Sequence, residues 1–279
     1  MFSRFSAIIG LLAGIGLAAS SASTNRVLRI TADPNNLPFS NEKLEGFENK
    51  IAALVAGELN ATIEYSWRAQ RRGFFRETLK ENNADIVLGV PGGFERALTT
   101  RPYYRSIYAF VTRKDRGLRI CSFDDPRLKT LRIGVQLVGD DGANTPPAHA
   151  LAMRGIITNV VGYTVYGNYA EANPPARIID AVANGSIDVA VAWGPLAGYF
   201  AQHEAVPLEI APAAAQFDSP ALPLAFDICM GVRRRDKELR DELNSILARR
   251  KPDIEKILDA YGVPRVAPPL LSRNEGTDK

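Results

Sequence analysis

The chain has 279 residues, 46% of them apolar, with 34 Lys and Arg against 31 Asp and Glu and a formal net charge of +3 at pH 7. Length sets a prior of about two domain-sized units, and a chain this long buries a core without staples. So small a net charge argues against a protein that tracks nucleic-acid phosphates. Two Cys and two His, spaced as Cys121, His149, His203 and Cys229, match no zinc pattern, and the scarcity of His argues against His-based acid–base catalysis.

The first elements are an address. Arg4, the apolar run Ile8–Ala19 and the small residues Ser20–Ser23 form the pattern of a signal peptide over residues 1–23. The run is too short to span a bilayer, which needs about 20 apolar residues, so the expectation is an exported protein with no membrane insertion after cleavage. In an oxidising compartment Cys121 and Cys229 are a candidate disulfide closing a long loop, worth roughly 4–5 kcal/mol in the chain-entropy account. Two free thiols are the alternative.

Strands and helices then alternate. VLRITAD (from Val27) predicts a strand, and Phe47, Ile51, Leu54, Val55 and Leu59 a helix that Asn60 stops. ATIEYSW predicts a strand, RGFFRETLKENN a helix, ADIVLGV a buried parallel-type strand before a Gly-rich loop, and YRSIYAFVTRK a longer strand. LRIGVQL opens a second βα series, with Thr145-Pro146-Pro147 as cap and first turn of a helix from His149 to Arg154. NVVGYTVYG, PPARIIDAVANG, IDVAVAWG and PLAGYFAQH continue it as strand, helix, strand, helix. FDICMGVRRR is the last strand, followed by two helices, one capped by Asp236 and one running from Pro252 to Gly262. Repeated βα units predict an α/β protein with open, mostly parallel sheets flanked by helices. Residues 269–279 read as a frayed tail.

The ordered set of GFENKIA, ADIVLGV followed by ERALTTRPYY, NGSIDVAVAWGPLAGYF and DICMGVRRRDKELRDELN resembles the family 3 extracellular solute-binding proteins. That resemblance implies a two-lobed type II periplasmic binding protein fold joined by two crossover strands, with a ligand cleft between the lobes. The crossovers are expected near Arg113–Gly117 and Leu222–Phe226. Lobe 1 would be 25–114 plus 225–268, and lobe 2 would be 115–224.

Departures from the family pattern bear on function. Amino-acid binders carry a hydroxyl residue before an Arg that grips the ligand carboxylate; Arg96 matches the Arg, but Gly93 replaces the hydroxyl and Pro91 removes a backbone donor. In lobe 2 the Asp that pairs with the ligand ammonium is Trp193. An uncompensated ammonium in a cleft is costly, so a zwitterionic amino acid is a poor ligand.

The stretches GFENKIAALVA, RRGFF, GVQLVGDDGANTPPAHALAMRGI, NVVGYTVYGNYAEANPPARIIDAVANG and AWGPLAGYF are similar to the quinoprotein-dehydrogenase-associated binding proteins, the MoxJ/XoxJ type. That resemblance implies a periplasmic accessory protein whose partner is the large subunit of a PQQ-dependent methanol dehydrogenase and which assists its maturation or activation. It implies no catalytic residues, bound cofactor or metal in this chain, and a wide aromatic cleft that accepts protein. Phe39, Trp67, Phe94, Tyr103, Tyr104 and Trp193, with Arg96, are the expected cleft and partner-binding residues, although each aromatic is equally at home in a core. Arg71-Arg72 and Arg233-Arg234-Arg235 read as solvated faces, with docking to an acidic partner as the alternative. Asp140-Asp141 falls short of the six to eight oxygens that calcium takes. Two other classes remain: a transport receptor for an apolar, aromatic or alcohol-type solute, and a dehydratase-like enzyme working in the cleft.

Overall fold

Leu28 and Ile30 are 2% and 1% exposed, either side of half-exposed Arg29 in a seven-residue strand. That strand is β1 (Arg26–Ala32) in the computed structural model, which describes residues 26–70, 74–138, 143–164 and 169–269. The signal peptide, Arg71-Arg72, Asp140-Asp141 and the tail beyond residue 269 lie outside the described residues. In chain order β2 (Asn35–Asn36), β3 (Ser40–Asn41), α1 (Phe47–Glu58) and β4 (Ala61–Trp67) follow. A π turn (Arg76–Lys80), β5 (Ile86–Pro91), β6 (Leu98–Thr99) and β7 (Tyr104–Arg113) complete the first half. The second half begins with β8 (Ile133–Val138), β9 (Ala143–Asn144), α2 (Pro146–Met153), β10 (Val160–Thr164) and α3 (Arg177–Ala183). It goes on through β11 (Val189–Trp193), α4 (Gly194–His203), β12 (Leu208–Pro212), β13 (Phe217–Ser219) and β14 (Leu222–Pro223). The last elements are β15 (Ala225–Val232), α5 (Lys237–Arg249) and α6 (Lys251–Ala260).

The predicted helical spacing puts Phe47, Ile51 and Val55 on the buried face of α1, and Asn60 ends the helix in a left-handed conformation (φ 48°). The segment from Phe74 to Lys80 is one short turn widened to π geometry rather than a regular helix. Thr145 takes the cap position of α2, but its hydroxyl donates to the Gln136 carbonyl (2.8 Å) instead of capping. Gly262 closes α6 with φ 63°, as a C-terminal glycine does.

Two parallel cores result, β4-β1-β5 and β10-β8-β11. Antiparallel strands β15 and β7 join them into one mixed sheet of two lobes. The exchange between lobes occurs inside β7. Tyr104–Ile107 pair with Phe226 and its neighbours on β15, whereas Tyr108–Thr112 pair with β11 and, on the other edge, residues 109–113 pair with β12. The hydrogen bonds thus change partner between Ile107 and Tyr108, ahead of the expected Arg113–Gly117. A strand's apolar pattern does not reveal which neighbour it bonds. The return passes through Leu224, whose carbonyl accepts from the Tyr108 amide (3.0 Å).

Helices α1, α5 and α6 cover one face of the first sheet, and Phe74, Leu79, Val87 and Val90 cluster on the other. The second sheet is packed by α2 on one face and by α3 and α4 on the other. The lobes meet where Tyr199 of α4 stacks on Tyr261 (5.6 Å between centroids), and within the first lobe Ser106 donates to the Pro264 carbonyl (2.6 Å).

A Cβ on Gly198 of α4 would collide with the Gly262 carbonyl, so helix and returning chain touch backbone to backbone. Gly198→Ala is therefore expected to destabilise by about 1–3 kcal/mol through overpacking, despite alanine's better helix propensity. Urea unfolding should show a lower midpoint with unchanged slope.

Candidate interlobe site and its surroundings

Trp193 ends β11 in extended geometry at the cap of α4 (φ −60°, ψ 129°), and its amide donates to the Gln136 side-chain oxygen at 2.5 Å. Its ring meets Tyr108 at 5.3 Å and Phe226 at 5.9 Å, both edge-on, so it packs against the cores of both lobes. Phe39, Tyr104 and Tyr108 join Trp193 around an interlobe cavity of about 150 Å³, below the roughly 300–1,000 Å³ of ordinary small-molecule sites. The cleft is aromatic as expected but narrow, and in this conformation it admits no protein segment.

Its polar lining comes from Asn36, Glu48, Gln70, Gln136 and Thr145. Among the described residues no Lys or Arg lines it, so none of them brings a guanidinium there to grip a carboxylate. Asn36 donates to Gln70 (3.1 Å), while its own side-chain oxygen is buried without a protein partner. Asp33, 3% exposed, accepts from the Gln70 amide (2.8 Å) and the Tyr169 hydroxyl (3.0 Å), and Asn35 donates to the Glu171 carbonyl (2.8 Å). These contacts tie the loop after β1 to the opposite lobe.

Glu48 lies in the first turn of α1, where a carboxylate ordinarily favours the helix dipole. Here it lies under Gly89, and a Cβ on that glycine would come within 2.6 Å of the carboxyl oxygen. The Tyr103 hydroxyl accepts from the Gly89 amide (3.1 Å) and donates to Glu48 (3.4 Å). Desolvation dominates over that bond and pushes the Glu48 carboxyl up to about 8, so it is mostly neutral at pH 7. Burial first, and then the Glu48 charge, raise the Tyr103 and Tyr104 phenols well above their usual value.

Of the expected cleft residues, the structure brings Phe39, Tyr104 and Trp193 together, with Tyr103 behind them on Glu48. Trp67 instead stacks on Tyr65 at 4.7 Å within the first lobe. Phe94 packs on Phe75 (4.4 Å), and the loop that carries it leaves Arg96 exposed outside the cleft. The correction has a simple cause, because the ring of Phe94 completes the apolar cluster on the first sheet's outer face. Cys121 is exposed and Cys229 buried, both as free thiols, so the candidate disulfide is not formed. Burial raises Cys229 to about 11, which leaves it unreactive near neutral pH. Among the described residues no group of three His, Cys, Asp or Glu is placed to hold a metal. Glu48, Asn36, Gln136 and Tyr108 were not singled out by sequence reasoning; the only hint at Glu48 was its place within GFENKIA.

The folded value of Glu48 lies above the ordinary 4.5, so the folded protein keeps a proton that the unfolded chain gives up. Its effect is to make stability fall as pH rises from about 4.5 to 8, by at most about 1.4 kcal/mol per pH unit. Glu48→Gln should remove that decline. Denaturant unfolding at pH 5, 6.5 and 8 checks it, and parallel curves for the two proteins would refute the burial of a neutral acid.

The sequence profile of the bacterial extracellular solute-binding proteins, family 3, matches residues 28–264. Protein MoxJ of Methylorubrum extorquens is 33% identical over 238 residues, covering 81% of this chain and 78% of MoxJ. MoxJ of Paracoccus denitrificans is 29% identical over 270 residues, 90% of this chain and 94% of that protein. The crystal structure of periplasmic binding protein XoxJ from Methylobacterium extorquens AM1 is similar with a TM-score of 0.71 and 37% identity, over 86% of this chain and 100% of XoxJ. With two lobes joined through β7 and β15 and a profile match over nearly its whole described length, the chain belongs to the family 3 extracellular solute-binding proteins and is of the MoxJ/XoxJ type.

Proposed function

We propose that this protein is a periplasmic accessory of a PQQ-dependent methanol dehydrogenase, binding its large subunit and assisting maturation or activation. The observation that carries this reading is the interlobe site itself, whose described lining is aromatic rings and a neutral acid with no Lys or Arg. Similarity to MoxJ and XoxJ supplies the class of partner. The leader-like first residues and the absence of any helix long and apolar enough to cross a membrane, among the described residues, agree with export. Engagement of the dehydrogenase parts the lobes and exposes the wall built by Phe39, Tyr104, Tyr108 and Trp193. Aromatic residues of this kind dominate binding energy at protein interfaces. The role requires no catalytic step.

A second reading has its own support. The Asn36 oxygen, without a hydrogen-bond partner among the described residues and lining the interlobe cavity, fits the donor group of a small neutral solute, as in a transport receptor.

Titration calorimetry of the mature protein against apo and holo large subunit decides between them. The accessory reading expects micromolar or tighter binding, weakened about 30-fold or more by Trp193→Ala, the loss of roughly 2 kcal/mol that marks a hot spot. No heat with either form, together with a thermal shift in some small solute, would instead establish the receptor.

A further inference from the structure

A second cavity, of about 690 Å³, opens on the outer face of the first lobe and shares no residue with the interlobe site. The π turn contributes Arg76, Leu79 and Lys80 to it, the loop after β5 contributes Glu95 and Arg96, and the end of β15 contributes Arg233, Arg234 and Arg235. Phe75 supplies an apolar floor, held against Phe94 and edge-on to Phe74. Most arginines of the chain end on carboxylates, as Arg29, Arg132, Arg154 and Arg250 do. Here the charges are left over. Lys80 and Arg96 have no ion-pair partner among the described residues, and Arg234 donates only to the Glu95 backbone carbonyl. Arg235 bonds the Asn82 side-chain oxygen at 2.6 Å and stands 3.7 Å from Asp236, and Arg76 reaches Glu77 at only 3.5 Å. By contrast Arg233 is neutralised by Asp85 (2.7 Å) and Asp236 (2.5 Å) and serves as a strut beneath the others. Among the described residues Glu95 is the one carboxylate in the lining.

We propose that this cavity is a docking site for an acidic segment of a protein partner. Its carboxylates meet Lys80, Arg96 and Arg234, and an apolar side chain between them settles on Phe75 and Leu79. Two features select a protein segment over a small anion. The cations stand around a rim, with the Arg76 and Arg235 side chains 65% and 68% exposed, rather than converging in a desolvated hole. The floor between them is apolar, which suits a chain that alternates carboxylates with a hydrophobic side chain. Exposed charge of one sign chiefly speeds encounter and excludes wrong partners, and its contribution falls with salt.

The test uses the whole mature protein and a fluorescein-labelled ten-residue peptide of Glu with one central Phe, followed by anisotropy. Binding should weaken at least tenfold in the Lys80→Glu/Arg96→Glu/Arg234→Glu variant. It should weaken at least fivefold between 50 and 300 mM NaCl, and on replacing the peptide's Phe by Ser. The charge-matched variant Lys43→Glu/Lys50→Glu/Lys256→Glu, none of whose positions lines the cavity, should bind like wild type. Equal weakening by the two triple variants would overturn the proposal, as would equal binding of a peptide with Gln for every Glu. Stronger binding of a ten-nucleotide oligothymidylate at the same residues would overturn it in favour of a phosphate backbone. Should the triple variant fail to fold, Arg96→Glu alone and the peptide and salt series on wild type decide the matter. No dehydrogenase enters this experiment, so loss of the accessory reading leaves its outcome intact.

Discussion

One strand holds the molecule together. β7 is buried along nearly its whole length, and its ten residues bond β15 at one end and β11 and β12 at the other. Any change in the angle between lobes must be absorbed near Ile107 and Tyr108, because each half is committed to a different set of hydrogen bonds, which are costly to leave unmade once buried. The surroundings narrow the choice further. Gly194 lies so close to the Ile107 carbonyl that a Cβ there would approach within 2.5 Å, and Ser106 fixes the chain after α6. The aromatic wall of the cleft is built around this strand, with Tyr104 and Tyr108 on it and Trp193 and Phe226 on its two neighbours.

The two cavities show opposite solutions to the placement of charge. Between the lobes, desolvation outweighs the single hydrogen bond from Tyr103, and the only acid there keeps its proton. On the outer face water reaches the cationic groups, so five cations besides the paired Arg233 can stand around Glu95 without a comparable penalty. The interlobe space is ring-lined and has no Lys or Arg among the described residues. Unspent charge lies outside, on the loop after β5 and the turn after β15.

Much of the fold was legible because periodicity carries it. Phe47, Ile51 and Val55 fall one turn apart, IDVAVAWG is a nearly unbroken apolar run, and Gly262 follows the last periodic residue. What periodicity cannot carry is partnership. YRSIYAFVTRK announces a strand but not the exchange of neighbours halfway along it. Phe94 announces an apolar anchor but not that Phe75, rather than the cleft, receives it. Glu48 reads as an ordinary acidic residue in a helix's first turn, and only the missing side chain of Gly89, forty-one positions later, creates the recess that desolvates it. Trp193 stood out in the sequence only when set beside a family pattern, not through its local chemistry.

The chain has two tryptophans, and their settings differ in a useful way. Trp67 is stacked on Tyr65 inside one lobe, where rigid-body motion leaves its neighbours unchanged. Trp193 lies where both lobes close on it, its ring against residues of the two crossing strands. Parting of the lobes would therefore shift the emission of one fluorophore to the red and leave the other as an internal standard. The protein carries its own optical gauge of opening, readable without any label.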